Sequence, residues 1–360
     1  MNELSIGIAG AGLLGRLLAW QLGRTGYRVS VFDPASGPQP VFDGRQAAAF
    51  TAAGMLSPLA ELDNSSPEVA MLGWRSLALW PQIAGAMKAP PHFAANGSLL
   101  LAHRSDLGAA QRVLARLADA LPGTPQPQPL SLAELQGLEP ALHGAAHAWL
   151  LPKEGQIDPV AAMRSLHDEA AGVHWNWSRR VGSVRDDGAL VLDDGTQQRF
   201  DLAFDVRGTG ARPELPVRGV RGETVWLHAP GHELTRPVRL LHPRHRVYLV
   251  PRPGDIVLLG ATEIESEDRS PVSLRSAVEL MAAAHSVMPA LAESRILRLD
   301  ANLRPALPDN EPCLEVTPHR VRINGLFRHG WLIAPALVED ALQACGLTAQ
   351  PAKEFADERS

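Results

Sequence analysis

The feature that most constrains the fold is a glycine-rich turn close to the N-terminus. Residues 4–9 are short and apolar and predict a buried strand, and residues 12–26 carry leucines at helical spacing. Between these elements lies the run Gly10-Ala11-Gly12-Leu13-Leu14-Gly15, a G-x-G-x-x-G pattern. Residues 27–33 are rich in β-branched and aromatic side chains and predict a second strand. Strand, helix and strand within about 30 residues form a βαβ unit, which indicates a parallel sheet covered by helices.

Each glycine of this turn has a physical reason. Gly10 permits the tight turn from strand to helix, Gly12 lets a diphosphate approach the backbone, and Gly15 lets helix and strand pack closely. The helix N-terminus adds free N–H groups and the positive end of its dipole. Asp33 ends the next strand, where an acid binds a ribose hydroxyl and disfavours the 2′-phosphate of NADP. The pattern therefore predicts a dinucleotide site, without choosing between NAD and FAD.

Length and charge narrow the classes of protein. The 360 residues are enough for two domains of ordinary size. The net charge of −5 gives no excess of positive charge for neutralising phosphates, so we expect no nucleic-acid partner. Apolar runs end before the roughly 18 residues that a membrane helix needs, and no basic segment precedes the first of them. We therefore expect neither a membrane span nor a secretory signal, and predict a cytoplasmic protein.

Metal and cysteine chemistry have weak support. Cys313 and Cys345 are too few for a disulfide framework or a four-thiolate zinc site, and we expect them to be small, buried, apolar side chains. His242 and His245 form an H-x-x-H pair in a predicted strand and turn without an accompanying acid, so we predict no metal site. The arginine-rich run 236–252 is interpreted as a solvated strand face.

The rest of the chain alternates predicted helices and strands. Helices are expected at 68–87, 105–121, 131–138 and 158–171, and strands at 182–185, 190–193, 225–228, 239–242, 246–251 and 256–260. The first of these helices carries Met71, Trp74, Leu77 and Trp80 on one stripe, which predicts core packing. The turn Asp186-Asp187-Gly188 predicts a hairpin. The middle of the chain is therefore expected to be mainly β.

Three further motifs carry a family resemblance. They are Thr51-Ala52-Ala53-Gly54-Met55-Leu56, then Leu303-Arg304-Pro305 followed by Asp309-Asn310, and finally the run 327–335, Phe-Arg-His-Gly-Trp-Leu-Ile-Ala-Pro. Together with the N-terminal turn, and over residues 6 to 347, the chain resembles the FAD-dependent D-amino-acid oxidase superfamily. Within that superfamily it is most similar to the glycine oxidases of thiamine biosynthesis.

The resemblance implies an α/β fold with two domains. An FAD-binding, Rossmann-like domain of the glutathione-reductase type would be discontinuous and comprise residues 1–80, 150–215 and 315–360. A mainly antiparallel α+β substrate-binding domain would comprise residues 81–149 and 216–314.

The same resemblance assigns residues to FAD. Thr51 to Leu56 would run along the isoalloxazine ring, Val181 would meet the adenine, and residues 205–211, with Gly208, would lie by the diphosphate. Residues 328–333 would close over the flavin with their backbone N–H groups. The implied cofactor-binding residues are thus Gly10, Ala11, Gly12, Leu13, Leu14, Gly15, Asp33, Thr51, Ala52, Ala53, Gly54, Met55, Val181, Gly208, His329, Gly330, Trp331, Leu332 and Ile333.

The resemblance also assigns the substrate site. Arg304 would bind the substrate carboxylate, Tyr248 would donate a hydrogen bond to it, and Arg328 would add a second positive charge. A guanidinium group suits this task because it binds a carboxylate at two points and stays charged. From the residues alone, surface salt bridges would explain Arg304 and Arg328 equally well.

Two positions depart from the glycine-oxidase pattern. Glu263 stands where characterised members carry an apolar residue over the substrate, and Arg246 stands where some carry histidine. A carboxylate near the amine would favour a bulkier or cationic substrate. Alternatively, Glu263 pairs with Arg246 across strands and has no catalytic part.

The implied activity is FAD-dependent oxidative deamination of glycine, sarcosine or a small D-amino acid. A hydride would pass from the alpha carbon to flavin N5, and dioxygen would reoxidise the flavin and give hydrogen peroxide. In thiamine biosynthesis, the imine from glycine would be used for the thiazole ring. Two alternatives stay open: an amino-acid dehydrogenase with another electron acceptor, and a catalytically silent flavin-binding protein. Family members often form homo-oligomers, so self-association is also expected.

Overall fold

A computed structural model describes residues 4–63, 65–120, 123–241 and 246–347. The helices in this part of the chain are α1 (Leu13–Arg24), α2 (Pro58–Glu61), α3 (Pro67–Gly85), α4 (Leu107–Ala120), α5 (Leu132–Leu138), α6 (Pro159–Asp168), α7 (Leu274–Val287) and α8 (Gly330–Ala344). The strands are β1 (Ser5–Ala9), β2 (Arg28–Asp33), β3 (Met55–Leu56), β4 (Phe93–Ala94), β5 (Ser98–Ala102), β6 (Gln128–Leu130), β7 (His147–Leu151), β8 (Gly155–Ile157), β9 (His174–Trp177), β10 (Val181–Val184), β11 (Ala189–Leu192), β12 (Gln197–Arg199), β13 (Leu202–Asp205), β14 (Arg218–His228), β15 (Val238–Leu241), β16 (Arg246–Arg252), β17 (Ile256–Gly260), β18 (Arg295–Ala306), β19 (Cys313–Val316) and β20 (Arg320–Asn324).

A six-stranded sheet contains the glycine-rich turn. Its strand order is β19-β20-β13-β1-β2-β9, and every neighbouring pair except β19 and β20 is parallel. Strand β1 has β2 on one side and β13 on the other, so the chain leaves β1 at a topological switch point. Ligands of open parallel sheets bind at such points, beyond the carboxyl ends of the strands. The predicted βαβ unit and α/β class are confirmed.

A second, eight-stranded sheet is formed by other stretches of the chain. Its order is β18-β14-β17-β16-β15-β5-β7-β6, with antiparallel pairing except between β15 and β5. Side chains alternate between the two faces of a strand. On one face, Val225, Val247 and Leu259 join a buried core with Leu280 of α7. The opposite face carries Trp226 and also Tyr248, which lines the cavity described below.

The last helix shows how the sequence tolerates a proline inside a helix. Pro335 lies within α8 and has no N–H to donate to the carbonyl of Trp331, four residues earlier. The indole Nε1 of Trp80 donates to that carbonyl instead, at 2.9 Å, and the two tryptophan rings stack with centroids 5.5 Å apart. Helix α3 is thereby fixed against α8.

Several sequence expectations are confirmed or corrected by these elements. Helix α6 forms within the range predicted for it, with Asp158 as its N-terminal cap. Asp187 and Gly188 lie in the turn of the β10–β11 hairpin, as predicted. The prediction that one stripe of α3 packs in the core is confirmed at Trp80. It is wrong at Met71, which is 51% exposed because it lies on the outer side of the helix. The sequence analysis predicts no element at strands β5, β7 and β18 or at helix α7.

The interpretation of residues 236–252 as a solvated face is also wrong. Arg236 pairs with buried Glu139 at 2.7 Å, and Arg252 is only 5% exposed. These arginines therefore connect chain segments through partly or fully buried contacts.

The six-stranded sheet draws on three separate stretches of chain, and the eight-stranded sheet draws on two. The domain boundaries themselves remain a prediction. Among the described helices, none has both the length and the apolar composition needed to cross a bilayer.

Candidate active site

A single continuous cavity joins the two large sheets. Its volume is about 1160 Å³, and its lining runs from Gly10, Gly12 and Asp33 at one end to Tyr248 and Arg304 at the other. Pockets for one drug-sized ligand measure roughly 300–1,000 Å³. This cavity is therefore large enough for more than a small substrate alone.

The glycine-rich turn has the geometry that its sequence predicts. Gly10 has φ of +107°, a conformation that side chains other than glycine rarely adopt. A Cβ on Gly15 would overlap the carbonyl oxygen of Gly10, so the helix can lie this close only with glycine there. A Cβ on Gly12 would meet only Ala47, at 3.7 Å, and Gly12 lines the cavity. Gly10 and Gly15 are thus required by the fold, whereas the space beside Gly12 is open to a ligand.

Asp33 ties the turn to the end of β2. Its Oδ2 accepts a hydrogen bond from the Ala11 N–H at 2.7 Å, and its Oδ1 accepts one from the Ala35 N–H at 2.8 Å. Each carboxylate oxygen can accept a further bond, and Asp33 lines the cavity. The Asp33 carboxylate is therefore placed to accept hydrogen bonds from hydroxyl groups of a ligand.

Arg16 was missed by the sequence reasoning. It is 1% exposed, and its guanidinium donates to the carbonyls of Ala11, Met163 and Pro38 at 2.7–2.9 Å. Burial lowers its pKa to about 10, and the nearby charge of Asp33 limits the fall. Arg16 thereby holds the glycine-rich turn, α6 and the loop after β2 together.

The segment 51–55 borders the middle of the cavity. Thr51, Ala52, Ala53, Gly54 and Met55 all line it, as do Val181 and Gly208. Buried Arg252 donates from Nη2 to the Ala53 carbonyl and from Nη1 to Gln156 Oε1 at 3.1 Å. Burial lowers the pKa of Arg252 to about 10. This arginine, also missed from the sequence, fixes the path of the segment.

The C-terminal motif lies only partly on the cavity. Arg328, Gly330 and Trp331 line it, whereas His329, Leu332 and Ile333 are at most 3% exposed and do not. The Ile333 N–H donates to the His329 carbonyl within α8. Leu13 and Leu14 line the cavity, and Ala11 and Gly15 lie behind it.

Two glycines make room for the residues at the far end of the cavity. Gly260 pairs with Tyr248 across β16 and β17, and a Cβ there would lie 2.6 Å from the Tyr248 hydroxyl. A Cβ on Gly222 of β14 would overlap the guanidinium of Arg304, which comes from neighbouring β18. Glycine inside a strand often marks such a close approach. Tyr248 and Arg304 thus lie flat on one face of the sheet and border the same cavity.

The surroundings of Tyr248 and Arg304 determine the protonation of the first and the counter-ions of the second. Burial raises the pKa of Tyr248, against the opposing influence of Arg304, Arg239 and Arg252, so the phenol stays a hydrogen-bond donor. Arg304 donates from Nη1 to the Thr262 carbonyl at 3.1 Å. Within the described residues no carboxylate pairs with Arg304, so its charge faces the cavity without a counter-ion.

Glu61 is the main residue that sequence reasoning missed. It ends α2, whose Ala60 N–H donates to buried Glu154 at 2.8 Å. Oε1 of Glu61 accepts a hydrogen bond from Arg239 at 3.0 Å. Oε2 of Glu61 lies 3.0 Å from Arg328 Nη2 and 3.2 Å from His329 Nδ1.

The pKa of Glu61 reflects these neighbours. Burial alone would raise it, but His329 and Arg239 together lower it from 4.5 to about 2. Arg239 stands opposite Tyr248 in the β15–β16 register, so strand alternation could have placed it on this face. Glu61 is the last residue of a four-residue helix and has no such signal.

Glu263 has a charged neighbour that the sequence did not indicate, and its predicted pairing with Arg246 stays a prediction. Its carboxylate lies 3.1 Å from Arg328 Nη1 and is 44% exposed at the cavity. Arg328 thus bridges Glu263 and Glu61. The side chain of Arg246 lies outside the described part of the structure, as do His242 and His245.

Other candidate chemistries find little support in the described residues. No group of three or more metal-ligating side chains occurs there. Cys313 and Cys345 are free, partly buried thiols that pack against apolar clusters, and burial raises the pKa of each.

Comparison with known proteins identifies the family. Residues 5–341 match the DAO family, described as FAD dependent oxidoreductase. The chain is 36% identical, over 92% of its length and 93% of the relative's, to a Rhizobium etli protein that carries the name thiamine biosynthesis oxidoreductase ThiO. It is 25% identical to the glycine oxidase of Geobacillus kaustophilus, over 93% of this chain and 90% of that one.

The fold agrees with these similarities. The crystal structure of the glycine oxidase from Geobacillus kaustophilus superposes with a TM-score of 0.80, covering 96% of this chain and 99% of that chain at 23% identity. The glycine-rich turn, the two sheets and the cavity between them therefore occur in a chain that belongs to the DAO family of FAD-dependent oxidoreductases.

Proposed function

We propose that this chain oxidises glycine or another small amino acid, with FAD as cofactor and dioxygen as the electron acceptor. The amino acid and water would give the oxo acid and ammonia, and dioxygen would be reduced to hydrogen peroxide. The observation that carries the proposal is the uncompensated guanidinium of Arg304, which borders the same cavity as the glycine-rich turn. The names of the relatives support the same reaction.

The residues present suit FAD. Gly12 leaves open space where a diphosphate meets the N-terminus of α1, and Asp33 offers acceptor oxygens beside it. The cavity continues past Val181 and Gly208 and along residues 51–55, which supports assigning these residues to the cofactor. Gly330 and Trp331 begin α8 at the cavity wall, where the first N–H groups of a helix have no helical partners.

The far end of the cavity suits an amino-acid carboxylate. A guanidinium binds a carboxylate at two points and stays charged at any working pH. Tyr248, kept protonated by burial, is placed to donate to the same group. Together they would hold the substrate in one orientation, with its alpha carbon toward the middle of the cavity.

Orientation of the substrate is what these residues contribute to the rate. When bound, FAD supplies the acceptor for the electron pair that leaves the substrate. Arg304 and Tyr248 fix the substrate, and holding reactants in the correct geometry is worth a large part of a barrier. Tyr248 is partly buried, which limits the competition of water for its hydrogen bond. Binding and orienting the substrate in this way requires no side chain with a pKa adjusted for proton transfer.

The name of the Rhizobium etli relative extends the proposal to metabolism. That protein is named for thiamine biosynthesis. We propose that the imine formed from glycine by this chain serves the same synthesis.

Peroxide formation tests the proposal. FAD-loaded protein is mixed with glycine, sarcosine and D-alanine in air, and hydrogen peroxide is measured together with the released amine, which is ammonia from glycine and D-alanine and methylamine from sarcosine. Equal amounts of both products support an amino-acid oxidase. Release of the amine only with an added quinone would identify a dehydrogenase, and no product from any amino acid would overturn the proposal.

A further inference from the structure

The substrate end of the cavity holds more charge than one carboxylate requires. Among the described residues that line it, Arg239, Arg304 and Arg328 are cations and Glu61 and Glu263 are anions. Glu61 lies within 3.0 Å of both Arg239 and Arg328, and Glu263 lies 3.1 Å from Arg328. The two carboxylates thus compensate two of the three guanidinium groups.

The compensated arginines are close to the carboxylate-binding pair. Arg239 stands directly opposite Tyr248 in neighbouring strands, and Tyr248 is within electrostatic range of Arg304, Arg239 and Glu61. A substrate held by Arg304 and Tyr248 therefore lies within reach of the field of this cluster. Without Glu61, the same face would present Arg239 and Arg328 as a second anion site.

We infer that Glu61 determines specificity: it occupies Arg239 and Arg328, so that Arg304 binds a single carboxylate and dicarboxylic amino acids are excluded. This inference rests on the proposed function and extends it to the substrate class. Specificity of this kind comes from an element that opposes the wrong ligand, here the negative charge of Glu61. Glu61 is buried, with 8% of the residue exposed, so solvent screens that charge only weakly.

Binding of two simple anions tests the inference without turnover. Acetate carries one carboxylate and malonate carries two, and neither has an amine to oxidise. Each is titrated into the FAD-loaded protein, and the dissociation constant is read from the change in the visible flavin spectrum. The quantity compared is the ratio of the malonate constant to the acetate constant.

The expected result is a change in this ratio for two variants. Glu61→Gln should improve malonate binding relative to acetate by about tenfold or more, because it frees both Arg239 and Arg328. Glu263→Gln should improve it to a smaller extent, because it removes one of the two carboxylates that compensate Arg328.

Glu61→Asp, which keeps the charge, should retain the wild-type preference. Glu265→Gln is the matched control, since Glu265 pairs with Arg218 and does not line the cavity.

The outcomes separate the inference from the function on which it rests. An unchanged ratio in Glu61→Gln protein that still binds FAD and acetate overturns the inference alone. If Glu61→Gln protein does not load FAD, the ratio of dissociation constants is measured for Glu263→Gln protein instead. An unchanged ratio in that variant overturns the inference. If acetate and malonate leave the wild-type spectrum unaltered while FAD is bound, the carboxylate site of the proposed function fails, and the inference fails with it.

Discussion

At the scale of single residues, the site depends on charged groups that are largely shielded from water. Arg16 and Arg252 are buried among backbone carbonyls and fix the segments that border the cavity. Arg239 and Arg328 are held by Glu61. Arg304 differs, because in the described structure its charge has no carboxylate partner. Arg304 is half-buried, and a charge that is partly withdrawn from water without a counter-ion is costly to the folded protein, which is typical of a position that awaits a ligand.

Replacing Arg304 tests its role. Arg304→Leu should lower kcat/KM for the amino acid at least about a hundredfold, because a charge-assisted two-point bond to the carboxylate is lost. The FAD content should be unchanged, since Arg304 lies at the far end of the cavity from the glycine-rich turn. Steady-state kinetics and the flavin-to-protein absorbance ratio measure the two effects. An unchanged KM would remove Arg304 from carboxylate binding.

The charge of Glu61 predicts an acid-dependent stability. Its pKa is about 2 in the folded protein against 4.5 ordinarily, so the folded state favours the carboxylate. This contribution is complete above about pH 4.5 and is lost as the pH falls toward 2. Glu61→Gln should therefore destabilise the protein by roughly 3 kcal/mol at pH 7 and progressively less below pH 4.5. Urea unfolding at several pH values measures the difference, and a difference that stays constant with pH would contradict the assigned pKa.

At the scale of elements, strand alternation decides which residues meet. Tyr248, Arg239 and Arg304 face the cavity because each occupies the appropriate position in its strand, and Gly222 and Gly260 leave space for two of them. The sequence predicted β15, β16 and β17 and so contained the information for Arg239. It did not indicate β18 or the position of α2, because long-range packing rather than local pattern positions them.

Filling the space at Gly222 should displace Arg304. The clash of a Cβ is with the flexible end of the arginine, so Gly222→Ala should fold with a stability within about 1 kcal/mol of wild type. The KM for the amino acid should rise about tenfold as the guanidinium moves. Gly137→Ala is the matched control, because nothing lies within 4 Å of a Cβ at that position. Equal KM values for wild type and Gly222→Ala would argue against a fixed position of Arg304.

The glycine-rich turn offers a contrast between two substitutions. Gly12→Ala adds a Cβ that meets only Ala47 within the protein, so it should fold normally but bind FAD at least about tenfold more weakly. Gly15→Ala meets the backbone of Gly10 and should instead lower the melting temperature of the protein. Fluorescence titration of the apoproteins with FAD and thermal melts distinguish the effects. Normal FAD affinity in Gly12→Ala would refute the predicted position of the diphosphate.

At the scale of the whole molecule, one cavity connects a parallel sheet that suits a dinucleotide with an antiparallel sheet that suits an anion. The sequence predicted the first of these from Gly10, Gly12, Gly15 and Asp33, since a local motif is enough to specify a local turn. The charged cluster around Glu61 could not be predicted, because its members come from α2, β15 and the residues just before α8 and meet only in the folded chain. The expected homo-oligomer stays a prediction.

The most direct test is an anaerobic titration of the purified, FAD-loaded protein with glycine, sarcosine and D-alanine, followed at the visible flavin band. The account predicts that at least one of these amino acids bleaches the band, and that admitting air restores it with formation of hydrogen peroxide. A bound flavin that stays oxidised with every amino acid would contradict amino-acid oxidation by this chain. A protein that takes up no FAD would contradict the cofactor site itself.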